Sequence, residues 1–262
     1  MTVNRESRFM NRVHTTLAQF AVAVSVAAGA SSASAVTINW TDWQSSSAVN
    51  GFTAQGQIVS GSEIIDVTYN NPQGVGFFQD GVGGEIDYWQ NGRSGRNPAT
   101  SPYTGSFVDN IPTGTDIVAL RFAGTQTLNF SQTIANPVFS YVSLNSNGYA
   151  FDQDFEILSF GDASDGNDCG YWGCGTSSKQ VIDLGGGNFE YRLVGTGEPH
   201  GTLRFTGAFD TVSWRSLTNE FWNGFTVGVQ GTADQVFGDV PEPTSLALAG
   251  LGLLAAARRR RG

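Results

Sequence analysis

The apolar residues of this chain fall in short runs that alternate with polar ones, and few stretches carry helical spacing. In Phe189-Glu190-Tyr191-Arg192-Leu193 the apolar residues share one face of an extended strand, and Glu190 and Arg192 point the other way. Leu203 and Phe205 flank Arg204 in the same manner. Each run is bounded by Gly, Asn, Asp, Pro or Ser, the residues that end strands. Strands are expected near 37–40, 52–59, 64–69, 75–79, 86–89, 117–122, 127–130, 138–144, 155–160, 180–184, 189–194, 202–205, 211–214 and 225–229. The segment 138–144 is more continuously apolar and reads as central. Gly185-Gly186-Gly187-Asn188 reads as a hairpin turn. Polar stretches at 91–104 and 161–178 read as long surface loops. Many short strands without intervening helices predict an all-β fold, a two-sheet, jelly-roll-like β-sandwich. Glycine is abundant at 34 residues, but 12% aromatics and recurrent apolar runs argue against disorder.

The two ends are of a different kind. Arg5, Arg8 and Arg12 precede an apolar stretch at 17–30, and Ala33-Ser34-Ala35 is a small-x-small cleavage site. Residues 1–35 therefore read as a secretory signal peptide, to be removed by signal peptidase. The sandwich is expected over 36–239. Residues 240–262 hold Pro241-Glu242-Pro243, an apolar run at 246–257, and Arg258, Arg259, Arg260 and Arg261. A short apolar helix ending in a basic cluster is a membrane stop whose arginines stay cytoplasmic. At about 1.5 Å per residue the run reaches roughly 18 Å, against a hydrocarbon core of about 30 Å. Such a helix suits transient rather than permanent anchoring in the inner membrane.

Motif, short helix and arginine cluster, in that order, resemble the PEP-CTERM sorting signal of Gram-negative bacteria. The resemblance implies recognition of the tripeptide by the membrane enzyme exosortase and processing of the anchor. It also implies export to the cell envelope, the outer surface or the extracellular matrix, and a link to exopolysaccharide and biofilm. A second resemblance spans the later part of the sandwich: residues 136–144, 155–159, 200–205, 212–214 and 222–229 are similar to a pattern recurring in PEP-CTERM ectodomains. It implies fold and location but no activity.

Without the two ends, seven Lys and Arg stand against twenty-one Asp and Glu, which leaves a net charge of −14. That balance disfavours DNA, RNA and anionic lipid, which need clustered cations. It suits solubility, cation uptake, or contact with neutral or basic polymers. Cys169 and Cys174 enclose Gly-Tyr-Trp-Gly. In an exported chain they are expected to form a disulfide that holds Tyr171 and Trp172 in a fixed pose. Four intervening residues are too many for a thioredoxin-type motif, and zinc would need further ligands.

No zinc-protease, phosphate-loop or serine-hydrolase motif is present. His200 is the lone histidine after the signal peptide, and Glu198-Pro199 and Gly201 around it read as a turn. Carboxylate pairs could serve glycoside hydrolysis, but twenty-one acids offer no choice among them. No catalytic residue is assigned, and the chain is expected not to be an enzyme. The best metal candidate is calcium at Asp162, Asp165, Asn167 and Asp168, hard oxygen ligands around Gly166. The loop departs from the EF-hand pattern, which would put ligands at Gly161 and Ala163. Otherwise no cofactor is expected. Trp172, Tyr171, Trp89 and Trp222 are the candidate glycan-binding aromatics, whose faces could stack on pyranose rings. The leading expectation is a non-enzymatic surface or matrix protein. A glycan-binding module, with or without calcium, and a carbohydrate-active enzyme are the alternatives.

Overall fold

Alternating residues build long antiparallel ladders in the computed structural model, which describes residues 35–162 and 166–238. The expected sorting signal, Ala33 and Asp165 lie outside these residues. The first strands are β1 (Asn39–Trp40), β2 (Asp42–Ser47), β3 (Phe52–Ser60), β4 (Glu63–Asn71) and β5 (Phe77–Gln79). After a long loop come β6 (Ile117–Leu120), β7 (Gly124–Ala135), β8 (Val138–Val142), β9 (Gly148–Phe151) and β10 (Phe155–Phe160). The last are β11 (Gly175–Gly185), β12 (Asn188–Gly197), β13 (Gly201–Phe205), β14 (Ala208–Ser216), β15 (Asn223–Val229) and β16 (Gly231–Thr232), followed by helix α1 (Ala233–Phe237). Among the described residues no helix is long and apolar enough to cross a membrane.

The strands form two antiparallel sheets. The smaller has the order β10-β13-β8-β15-β6-β5, with β1 on β15. The larger has the order β11-β12-β9-β14-β7-β4-β3-β2, with β16 on β7. Inward residues of both sheets share one core, to which β4 contributes Val67 and Tyr69, β14 Trp214, β8 Phe139 and β15 Phe225. Phe139 and Phe225 stack at 4.7 Å, and Trp214 meets them edge-on at 5.1 and 5.0 Å. The outward face of the larger sheet is polar: in register across it stand Gln55, Thr68, Asn129 and Thr211.

The smaller sheet is covered on its other face as well. The segment between β5 and β6 lays Trp89, Tyr103 and Ile111 against Ile117 and Val142. Farther along, Val108 packs with Ile38, Trp40 and Val138. This explains why every residue of β8 and β15 is buried, as the continuous apolarity of 138–144 predicts. Arg96 pins the covering segment. Its guanidinium pairs with both carboxylate oxygens of Asp87 at 2.8 Å and donates to the carbonyls of Pro112 and Gly114.

Four expectations need correction. Residues 86–89 form no strand, because Asp87 is held by Arg96 and the Trp89 backbone N–H donates to Asp87 Oδ1 at 3.0 Å instead of joining a ladder. Strand β2 is extended although it reads Asp-Trp-Gln-Ser-Ser-Ser, since it is an edge strand with only Trp43 buried. Strand β9 forms between turn-forming residues on both sides and is fully buried. The second loop is shorter than expected, because residues 175–178 already pair with 194–197.

Alternating direction separates two ends. The loops after β6, β8, β10, β12 and β14 gather at one, here the loop end. Strand β15 runs from it to the far end, where β16 and α1 follow. The helix is capped by Thr232, whose side chain accepts from Gln235 N, and Gln235 is in turn tied to Ser60 at the turn between β3 and β4.

Candidate functional site

At the loop end Cys169 and Cys174 are joined, with Cα atoms 4.5 Å apart. Between them the Gly173 N–H donates to the Gly170 carbonyl at 3.1 Å. Tyr171 and Trp172 are therefore the two corner residues of a turn clamped at its base. Gly170 has no room for a side chain, since a Cβ there would lie 2.1 Å from Cγ of His200. His200 is fully buried under this turn, and its Nδ1 is 3.1 Å from the Tyr103 hydroxyl. Burial holds its pKa down at about 3, so the ring is neutral.

The turn carries its rings onto a cluster drawn from two other loops. Tyr171 meets Tyr88 edge-on at 5.1 Å, Trp172 stacks near Tyr88 at 6.3 Å, and Trp222 lies 4.8 Å from Tyr88 and 6.3 Å from Trp172. Phe77 completes the base, 4.9 Å from Trp222. Tyr88 is buried and its hydroxyl pKa is raised, first by desolvation and then by Tyr171. Trp172 keeps 43% of its surface exposed, and Phe221 beside Trp222 keeps 82%. Arg93 lies over both turn rings, its guanidinium carbon 5.0 Å from Tyr171 and 4.9 Å from Trp172.

Three of the four aromatics named from sequence thus meet, and one does not. Trp89 was expected at an exposed site but is fully buried, with its ring 5.0 Å from Tyr103. Its chain neighbour Tyr88 takes the place in the cluster. Phe77 and Arg93 were missed, and nothing in their local sequence points toward residue 172.

Of the expected calcium ligands, Asp168 is spent on a structural tie. Its Oδ2 accepts from Asn91 Nδ2 at 3.0 Å and from Thr100 Oγ1 at 2.5 Å, bonds that hold its pKa below the usual range. Asn167 Nδ2 donates to the Phe160 carbonyl at 3.3 Å. Among the described residues no three His, Cys, Asp or Glu gather as metal ligands. The tie instead fastens the 91–97 loop, and Arg93 with it, beside the disulfide turn. A cleft of about 390 Å³ remains between the two loops, lined by Asn91, Arg96 and Asp168.

Two carboxylates flank the cluster and were not singled out from sequence. Glu198 accepts from Ser143 Oγ and Asn145 Nδ2, both at 2.5 Å. Glu220 accepts from the Asn145 backbone N–H at 3.1 Å and from Asn223 Nδ2 at 2.8 Å. Desolvation pushes Glu220 up to about 7 despite these bonds, and Glu198 adds to the rise. Ser143 and Ser146 around Asn145 hold left-handed backbone, with φ of 54° and 52°. A raised pKa means that the folded state favours the protonated acid. The stability it contributes is complete below about 4.5 and is lost as pH rises through about 7. Glu220→Gln, which mimics the protonated form, is expected to flatten this dependence. Thermal melts at pH 5 and pH 8 should show the variant losing less on alkalinisation than the wild type; equal losses would refute the assignment.

A family model described as the PEP-CTERM protein-sorting motif matches residues 239–261. The chain therefore carries the C-terminal exosortase sorting signal, which implies an exported protein sorted to the cell envelope. No curated protein and no solved structure matches this chain.

Proposed function

We propose that the exported chain is a non-enzymatic surface or extracellular-matrix protein that holds exopolysaccharide, as in a biofilm, through the aromatic loop end of its sandwich. One observation carries the reading. Three separate loops bring Trp172, Tyr171, Trp222 and Tyr88 into one partly exposed cluster, and a disulfide braces the most exposed of them. Braced rings lose little freedom when a pyranose face stacks on them, which favours binding. The strand order supports a jelly-roll reading. The chain crosses between sheets so that β6-β15-β8-β13 lie in one and β7-β14-β9-β12 in the other. Exosortase processing of the tail supplies the location.

Stacking on one aromatic contributes on the order of 1 kcal/mol, so a single site is weak and repeated sugar units supply avidity. The mature protein is expected to be retained on a column of the host polysaccharide. Trp172→Ala should pass through it with an unchanged far-ultraviolet circular dichroism spectrum, because Trp172 lies in a turn outside the ladders. Wild-type protein that is not retained, or a variant retained equally well, would overturn the reading.

A further inference from the structure

We infer that the polysaccharide held at the loop end is anionic, with uronic-acid carboxylates paired to Arg93 and Arg121. This rests on the glycan-binding reading and goes against the sign of the whole molecule. Arg96, Lys179, Arg192, Arg204 and Arg215 each form an ion pair with a carboxylate. Only two of the seven cations between the terminal signals, Arg93 and Arg121, have no ion pair among the described residues. Both are exposed, and both stand at the aromatic end. Arg93 covers Tyr171 and Trp172. Arg121 lies 5.8 Å over Phe122, and its carbonyl accepts from the Glu220 N–H at 3.0 Å. Gly76 sits between it and Trp222: a Cβ on that glycine would be 3.6 Å from Cβ of Trp222 and 3.7 Å from Cβ of Arg121. The two cations therefore bracket the cluster, one beside Trp172 and one beside Trp222.

No carboxylate pairs with either among the described residues. Glu198 and Glu220 are turned into the Asn145 network, and Asp168 into Asn91 and Thr100. In a chain so rich in carboxylates, two cations left unpaired at the aromatic end are complementary to a ligand that presents both a pyranose face and a negative charge. A polyuronate presents both in every residue, and the negative remainder of the surface then limits contact to this end.

Binding of the mature protein to polygalacturonate and to its carboxyl-reduced, neutral twin tests the inference. Two exposed ion pairs should make the acidic polymer bind more tightly at low salt, by up to about thirtyfold. The preference should shrink in 0.5 M NaCl, where the screening length falls to a few ångströms. Arg93→Gln with Arg121→Gln should abolish the preference, so that the acidic polymer binds no more tightly than the neutral one. Equal binding of both polymers, sensitive to Trp172→Ala, would overturn the anionic assignment and leave the glycan reading in place. A preference that survives the double substitution, or that ignores salt, would also overturn it. No binding to either polymer would overturn the polyuronate assignment, and the host-polysaccharide column would then decide the glycan reading separately.

Discussion

Trp214→Ala is expected to destabilise the sandwich by about 3–5 kcal/mol, the range for removing a large buried aromatic from a core. Trp214 is 2% exposed and touches five rings, Tyr69, Phe139, Tyr149, Phe151 and Phe225, from both sheets. Those rings belong to different strands locked in ladders, so the hole cannot close cheaply. Trp214→Phe should cost much less. It keeps most of the packing and removes an indole N–H that has no hydrogen-bond partner. Denaturant unfolding of the three proteins gives the comparison. Similar losses for Ala and Phe would mean that the indole itself, not its volume, matters.

The second large effect is acid sensitivity seated at His200. Its folded pKa of about 3 lies below the ordinary 6.5 because burial disfavours the charged ring. The native state therefore resists a proton that the unfolded chain accepts. The stability from keeping the ring neutral is complete above pH 6.5 and is lost as pH falls toward 3. Integrated over that window the loss is on the order of 5 kcal/mol. Glu220, raised to about 7, and Asp116, raised to about 6 by burial, act in the opposite direction. The wild-type profile alone is therefore ambiguous, and the difference between wild type and His200→Asn isolates the histidine. That difference should narrow steadily from pH 7 to pH 4; a constant gap would show that His200 does not titrate in this window. Because Gly170 rests on the ring, the disulfide turn and its two aromatics should loosen in step with protonation.

The fold was legible in sequence where alternation was strong. Strands such as β12 and β13, the hairpin glycines and the central β8 follow from residue pattern alone. The edge strand β2 was hidden because a row of serines carries no apolar period, and its extension is imposed by pairing with β3. Residues 86–89 showed the reverse, since Tyr88 and Trp89 cover the smaller sheet rather than form a strand. The site was half legible. Cys-Gly-Tyr-Trp-Gly-Cys announced a clamped aromatic turn, and Trp222 was marked by its place before β15. That Tyr88 and not Trp89 joins them depends on which ring the covering segment turns inward. That Arg93 and Glu220 stand nearby depends on loops distant in sequence converging at one end, and spacing within any one loop does not encode this.

The course of β15 fixes which way the molecule faces. Its seven residues, at about 3.3 Å each, span roughly 23 Å from the aromatic end, where Trp222 precedes it, to the opposite end. There the chain turns through β16 and α1 and leaves at Gly238, and β1 enters at the same end, with Asn39 opposite Val229. Any hold on the tail therefore grips the sandwich by its base. Tension along that tether would enter at the end farthest from Trp172. A molecule tethered there turns its aromatic end outward.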